Sequence, residues 1–430
     1  MKLPEGWKSV AAVMAMFMGL LLIPRGSERF ENSVMEALYM AGDYAESHVV
    51  TCLVPAFFIA GAISVFVRGD AVMKYLGAGG FTAYAVAAVS GSVLAVCSCT
   101  VLPLFAGIYG KGAGIGPATA FLYAGPAINV TAVILTARVL GVEMGAARAV
   151  GALLFSVVIG LAMSLLFGNE KRKETTSFAG TRGAAGSGGE GGVAAVLFVT
   201  MGLVLVFSNW NAAGAGGIME LVQRYRWIAA GIAAAVLGTV TVLKMGVSPW
   251  RMLLTAVVVL TAAVLFPDVP TLAFGLGAVG FAASLATGGP EAVEWLRESR
   301  WFMVRIMPLL FAGVAVAGFM LGRPGSEGMI PADVVHGLVG GNGLAANVFA
   351  SIAGAFMYFA TLTEVPILQG LTGAGMGKGP ALALLLAGPA LSIPNMLVIR
   401  SVMGTKKTMT YVLLVVVMAS VSGMLYGALF

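Results

Sequence analysis

The sequence predicts an all-α polytopic membrane protein built from two internally repeated helical units. Three observations carry that expectation. First, 59% of the 430 residues are hydrophobic and 10% are charged, where soluble domains carry about 25% charged residues. So few charges cannot cover a water-facing surface, which leaves lipid as the main solvent. Second, apolar runs close to the roughly 20 residues needed to span a bilayer recur along the chain. Third, one Gly- and Pro-rich apolar segment occurs twice.

In chain order, the first expected span covers about Ser9 to Ile23 and lies in an N-terminal membrane helix region, residues 1–29. No small-residue cleavage site precedes Arg25, so the helix is read as uncleaved. The first repeat unit is expected over 30–167. An amphipathic stretch, "ENSVMEALYMAGDYAESH", leads into a span from Val49 to Val67, and "DAVMKYLGAGG" reads as an interfacial piece. Spans follow at Phe81–Val96, Pro117–Leu140 and Gly145–Phe167. Residues 168–192 are rich in Gly, Ser and Thr and read as a flexible linker. Four inserted membrane helices are expected within 193–288, at Val193–Phe207, Trp227–Leu243, Met252–Phe266 and Leu272–Ala286. The second unit, 289–430, opens with "PEAVEWLRESRWF", read as a helix lying in the interface. It continues with spans at Met303–Leu321, Leu344–Thr361, Pro380–Met403 and Tyr411–Phe430. The expected total is about 12 to 13 crossings, re-entrant segments included.

The repeat is specific. Pro103–Gly141 matches Pro366–Gly404 without a gap at 16 of 39 positions, with Pro103/Pro366, Pro117/Pro380 and the whole "AGPA" of 124–127 and 387–390 in register. Pro126 and Pro389 each remove a helix hydrogen bond and free a carbonyl. Such a carbonyl in hydrocarbon must face protein or a wet cavity. Paired broken segments, with Pro103, Gly125, Pro126, Pro366, Gly388 and Pro389 at the breaks, therefore predict a central solute site. Lys171, Arg172 and Lys173 follow the last span of the first unit, whereas Arg400, Lys406 and Lys407 come one loop earlier in the second. With positive loops facing inward, that difference favours inverted units. Eight expected crossings between unit starts imply parallel ones. The inverted arrangement is preferred, with one segment re-entrant.

Several residues in these segments can carry chemistry. Glu364 is ionisable within an apolar segment, a functional position by default. It could bind a coupling proton, or pair with Lys111 or Lys378. Cys97 and Cys99 lie to one side of an extended stretch, which Pro103 favours, and could ligate a soft solute; buried free cysteines also act as small hydrophobes. Asn129, Ser392 and Asn395 sit beside the breaks, and Thr100 and Thr363 are equivalent positions. Each could bind solute or satisfy freed backbone. No metal or cofactor motif is present: His48 and His336 lack zinc spacing, and no strand precedes "GAGIGPA". The net charge of +6 fits basic cytoplasmic loops rather than nucleic-acid binding, since no basic stripe interleaved with aromatics occurs.

"VCSCTVLPLFAGIYGKGAGIGPATAFLYAGPAINVTAVI" and "TLTEVPILQGLTGAGMGKGPALALLLAGPALSIPNMLVI" resemble the predicted permease family that includes YraQ-type proteins and ArsP organoarsenical efflux permeases. Ala95 stands where many members have proline. The resemblance implies an inner-membrane, multi-pass permease with no cofactor. For the ArsP branch it implies export of trivalent organoarsenicals, with Cys97 and Cys99 matching the cysteine element. The functional expectation is an ion-gradient-driven secondary transporter of a small solute, possible cargoes including a metalloid, with a coupling ion such as H+. A membrane thiol or redox enzyme using Cys97 and Cys99, and a passive channel, are the alternatives.

Overall fold

A computed structural model describes residues 27–67, 76–77, 80–94, 98–128, 130–168, 191–210, 218–323, 326, 328–329, 339–356, 364–373 and 375–430. The expected first span, most of "DAVMKYLGAGG", nearly all of the linker, Cys97, Asn129, His336 and Thr363 lie outside them. The described chain is helical, and the extended pairing within it is an isolated bridge between Gly340 and Met376. α1 (Glu28–Tyr44) passes through a π-helical segment (Ala45–Leu53) into α2 (Val54–Phe66). Then come α3 (Phe81–Leu94), α4 (Ser98–Gly110), α5 (Ile115–Ala127), α6 (Val130–Val139) and α7 (Val142–Phe167). The middle helices are α8 (Gly191–Ser208), α9 (Ile218–Met245), α10 (Pro249–Leu265), α11 (Pro270–Leu285) and α12 (Pro290–Leu321). The last five are α13 (Leu344–Phe356), α14 (Glu364–Gly373), α15 (Lys378–Leu391), α16 (Ile393–Met403) and α17 (Thr405–Leu429).

Every residue of α5, and every residue of α15 after Lys378, is buried, so these two helices form the centre of the molecule. A helix that is apolar all round belongs in such a place. α7 and α17 pack on them and turn their outer faces, including Leu154, Leu165, Leu413 and Leu425, toward lipid. Small residues allow this closeness. A Cβ on Gly116 of α5 would lie 2.7 Å from the carbonyl oxygen of Gly160 in α7. Backbones that approach so tightly gain dispersion contacts along their length, the main source of helix association in lipid.

Three expectations are corrected. Among the described residues, five helices are long and apolar enough to cross a bilayer, or six if the bent pair α15–α16 (48°) makes one span, against the expected 12 to 13. The first expected span lies outside the described residues, and much of the remaining difference lies in short apolar helices: the 13 residues of α4 measure about 20 Å at 1.5 Å per residue, short of a hydrocarbon core of about 30 Å. "PEAVEWLRESRWF" does not lie in the interface; it forms the start of α12, a single helix of 32 residues. Trp295 is fully buried there and donates its indole N–H to the Phe58 carbonyl at 2.8 Å, and Ser299 packs on Gly61. Glu298 and Ser299 are buried with Trp295, while Glu291, Arg297 and Arg300 stay exposed. Nor does Pro103 force an extended chain: α4 runs through it from Ser98, so Cys99 is helical. The bond that Pro103 forfeits would have reached back only to Cys99, in the first turn.

Several helix bounds within 81–167 have counterparts 263 residues later. Adding that interval to α5, α6 and α7 gives 378–390, 393–402 and 405–430, close to the bounds of α15, α16 and α17. The Gly116–Gly160 crossing has its like in Gly379–Gly423, where each Cβ would lie 2.6 Å from the other carbonyl. Gly114 N–H donates to Leu76 O at 2.9 Å and Gly377 N–H to Val339 O at 3.3 Å.

α1 packs along the second half of α12. Gly318 permits contact with the Glu36 carbonyl, and Phe30–Phe319 and Tyr44–Phe311 meet edge to face. Arg323 closes the pair. Its Nε and Nη2 donate to the Glu36 carboxylate at 2.9 and 3.3 Å, and its backbone N–H donates at 3.1 Å. The Arg323 hydrogen bond holds the Glu36 carboxyl below the usual carboxylate range. A carboxyl with a lowered folded value stabilises fully above its unfolded value, about 4.3, and that gain is lost as pH falls through the folded value. Glu36→Gln should therefore lower unfolding stability in detergent by about 1 kcal/mol at pH 7. The gap to wild type should close below about pH 4, which thermal melts across pH would reveal; a gap that persists at pH 3 excludes this role.

Candidate functional site

The chemistry concentrates where α6, α7 and α14 meet. Gly141, at φ +103°, turns the chain sharply between α6 and α7, a conformation that favours glycine. The two helices then fold back on each other. A Cβ on Gly145 would lie 2.6 Å from that of Ala137, so no larger residue fits one turn below Arg148. This hairpin presents Thr136 to Arg148. The Thr136 hydroxyl donates to the Ala132 carbonyl at 2.7 Å, leaving its lone pairs to accept from Arg148 Nη1 at 3.0 Å. Arg148 Nη2 then lies 2.5 Å from Glu364 Oε1, and the two side chains are 0% and 1% exposed.

Glu364 lies at the first described position of α14. Its expected partners are corrected. Lys111 sits half-buried in the turn after α4 and interacts with Glu298, and Lys378 donates to the Phe430 carbonyl at 3.3 Å. The partner is Arg148, which sequence reasoning missed. The signal was available: Arg148 is a charged residue inside an expected span, the same rule that singled out Glu364.

The breaks sit just beyond the prolines. α5 contains Pro126 and ends at Ala127; α15 contains Pro389 and ends at Leu391, with Gly125 and Gly388 inside their helices. Pro366 falls in the first turn of α14, where its missing N–H is not needed. Asn395 donates through Nδ2 to the Pro389 carbonyl at 3.4 Å, so it serves the break. Its Oδ1 and the Ser392 hydroxyl are buried with no hydrogen-bond partner among the described residues. Thr100 is buried near the start of α4. The two central helices touch near their breaks: Tyr123 OH donates to the Leu386 carbonyl at 3.2 Å, one turn before each proline. The residues of both helices that lead into the breaks are buried. A cavity of about 260 Å³ lies elsewhere, lined by Leu309, Leu397, Arg400, Ser401, Gly404 and Thr405.

The predicted-permease family matches residues 34–428. A UPF0718 protein of Methanocaldococcus jannaschii is 37% identical over 393 residues, 90% of this chain and 93% of its own length. The UPF0718 protein YraQ of Escherichia coli is 38% identical over 88 residues, 20% of this chain and 24% of its own length. No solved structure matches.

Removing one member of a buried ion pair strands the other and costs about 3–5 kcal/mol, whereas replacing both by apolar residues is often neutral. Glu364→Leu alone should thus destabilise strongly, because Arg148 cannot lose its charge. Arg148→Met with Glu364→Leu should recover most of that stability. Additive losses in detergent unfolding would show that the two groups do not depend on each other.

Proposed function

Because the chain belongs to the predicted-permease family, we propose that this multi-pass membrane protein is a secondary transporter. It moves a small solute across the cell membrane with protons coupled at Glu364. Permease relatives point to transport rather than catalysis. The observation that carries the coupling role is the buried Arg148–Glu364 pair, which ties α7 to α14 across the centre of the molecule. A proton on Glu364 removes the attraction that holds α14 against the α6–α7 hairpin. In a low-dielectric interior that attraction is large, so protonation is an effective release.

The structural recurrence supports two units, 30–167 and 289–430, that rock against each other. Tyr123 and Leu386 stand at the same place in the 263-residue interval and touch, as they would beside a pseudo-two-fold axis. The cross-contacts are reciprocal: α4 meets α16, and α6 meets α14. We read the units as inverted, with the axis in the membrane plane and alternating access about it. Residues 193–288 form the inserted helices, and no nucleotide-binding unit is needed for drive by an ion gradient.

In everted vesicles, wild-type protein should accumulate a trivalent phenylarsenical when a pH gradient is imposed, and Glu364→Gln should abolish that response while the protein still inserts. Accumulation that still follows the gradient removes Glu364 from coupling. Accumulation that never exceeds equilibrium indicates a channel. A thiophilic cargo contacted by Cys97 and Cys99 is tested in the same assay: the Cys97→Ser, Cys99→Ser double variant should lose arsenical transport at least tenfold, about 1.4 kcal/mol. Full retention excludes thiol contact.

A further inference from the structure

We propose that Arg148 receives a compact anionic group of the solute, a carboxylate or an oxyanion, which takes the place of Glu364 once that carboxylate is protonated. The inference rests on the coupling role of Glu364 and names an anionic cargo in place of the thiophilic one, so arsenical transport in the vesicle assay speaks against it. A guanidinium stays charged at every physiological pH, so a buried one needs an anion beside it at every stage of a transport cycle. Glu364 supplies that anion here, but it is a poor match. Nη2 lies 2.5 Å from Oε1, yet Nε and Oε2 are buried with no hydrogen-bond partner among the described residues. The Nε–Nη2 edge of arginine is a planar fork that suits two oxygens of one small anion. Glu364 meets that edge at Nη2 alone and leaves Nε without a partner among the described residues, while Nη1 is held by Thr136.

The surroundings fit an anion as well. Tyr123 of α5 interacts electrostatically with Arg148, and Tyr411 of α17 with Tyr123. The Tyr411 hydroxyl is buried without a hydrogen-bond partner among the described residues, a donor in reserve. Tyr411 occupies the place that corresponds to Arg148 after the 263-residue interval, and Val101 the place of Glu364, so the second half carries no equivalent charge pair. The chain therefore holds one such anion site, off the axis. Among the described residues, Tyr123 is the ionisable group shown to interact with the pair, and Tyr411 reaches it through Tyr123. Charge balance sets the stoichiometry. A proton neutralises Glu364 and the solute brings one negative charge to Arg148, so the buried cluster keeps zero net charge. One proton then accompanies each monoanion.

Purified full-length protein titrated with sodium acetate and sodium phosphate, against sodium chloride at equal ionic strength, tests this by calorimetry. Wild-type affinity for acetate or phosphate should rise by up to about tenfold for each pH unit lowered while Glu364 is ionised, the signature of one linked proton. Glu364→Gln should bind at least tenfold tighter than wild type at pH 7.5 and lose the pH dependence. Arg148→Gln with Glu364→Gln should abolish binding. Wild-type affinity that is flat with pH, or equal binding by the single and double variants, overturns the proposal. The wild-type titration needs no variant to fold. Persistent coupling in Glu364→Gln vesicles would instead sink the coupling role, whatever the binding data show.

Discussion

Arg148 cannot shed its proton, so a fold that buries it must bring a carboxylate to it. That obligation shapes the centre of this molecule. The α6–α7 hairpin exists in its tight form because Gly141 turns it and Gly145 lets it close. Thr136 fixes one arm of the guanidinium, and α14 carries the residue that answers its charge. The two charges come from opposite ends of the sequence, so their contact joins halves that no short loop connects. Desolvation costs several kcal/mol for each ion, and the attraction between them offsets much of this. The pair therefore contributes little net stability while making each member intolerant of the other's loss. A contact with those properties is better suited to switching than to holding.

Around that pair, the backbone is the packing material. Gly116 meets Gly160 and Gly379 meets Gly423 at carbonyl distance, so α5 with α7 and α15 with α17 interlock through main chain. Main-chain contact of this kind is rigid within each half. α5 and α15 also pack on each other, and Tyr123 OH donates across that contact to the Leu386 carbonyl. Between the halves lie the buried Arg148–Glu364 pair, the Glu36–Arg323 contact and the packing of α1 and α2 on α12.

Much of this was legible in the sequence. Apolar runs became helices with nearly the expected bounds, and Glu364 stood out because charge is expensive in lipid. The misses share a cause. Reading a segment by its own pattern assumes that its polar side meets water. In α12 the polar residues Glu298 and Ser299 are buried, and Trp295 reaches across to α2, so an amphipathic pattern marks a protein contact. Arg148 was passed over because its partner lies far along the chain, beyond any local window. Pro103 looked like a breaker but forfeits only one bond, in the first turn, where helices end loosely anyway.

The order in which the chain is made gives the buried pair a consequence for biogenesis. At about 5–20 residues per second, Arg148 leaves the ribosome on the order of ten seconds or more before Glu364 exists. Throughout that interval the nascent α7 carries an unanswered cation in a helix otherwise fit for lipid. It must idle with its guanidinium snorkelled to the headgroups or held by the insertion machinery. Final seating of α7 therefore waits for the last third of the chain, which makes assembly of this protein post-insertional at its very centre.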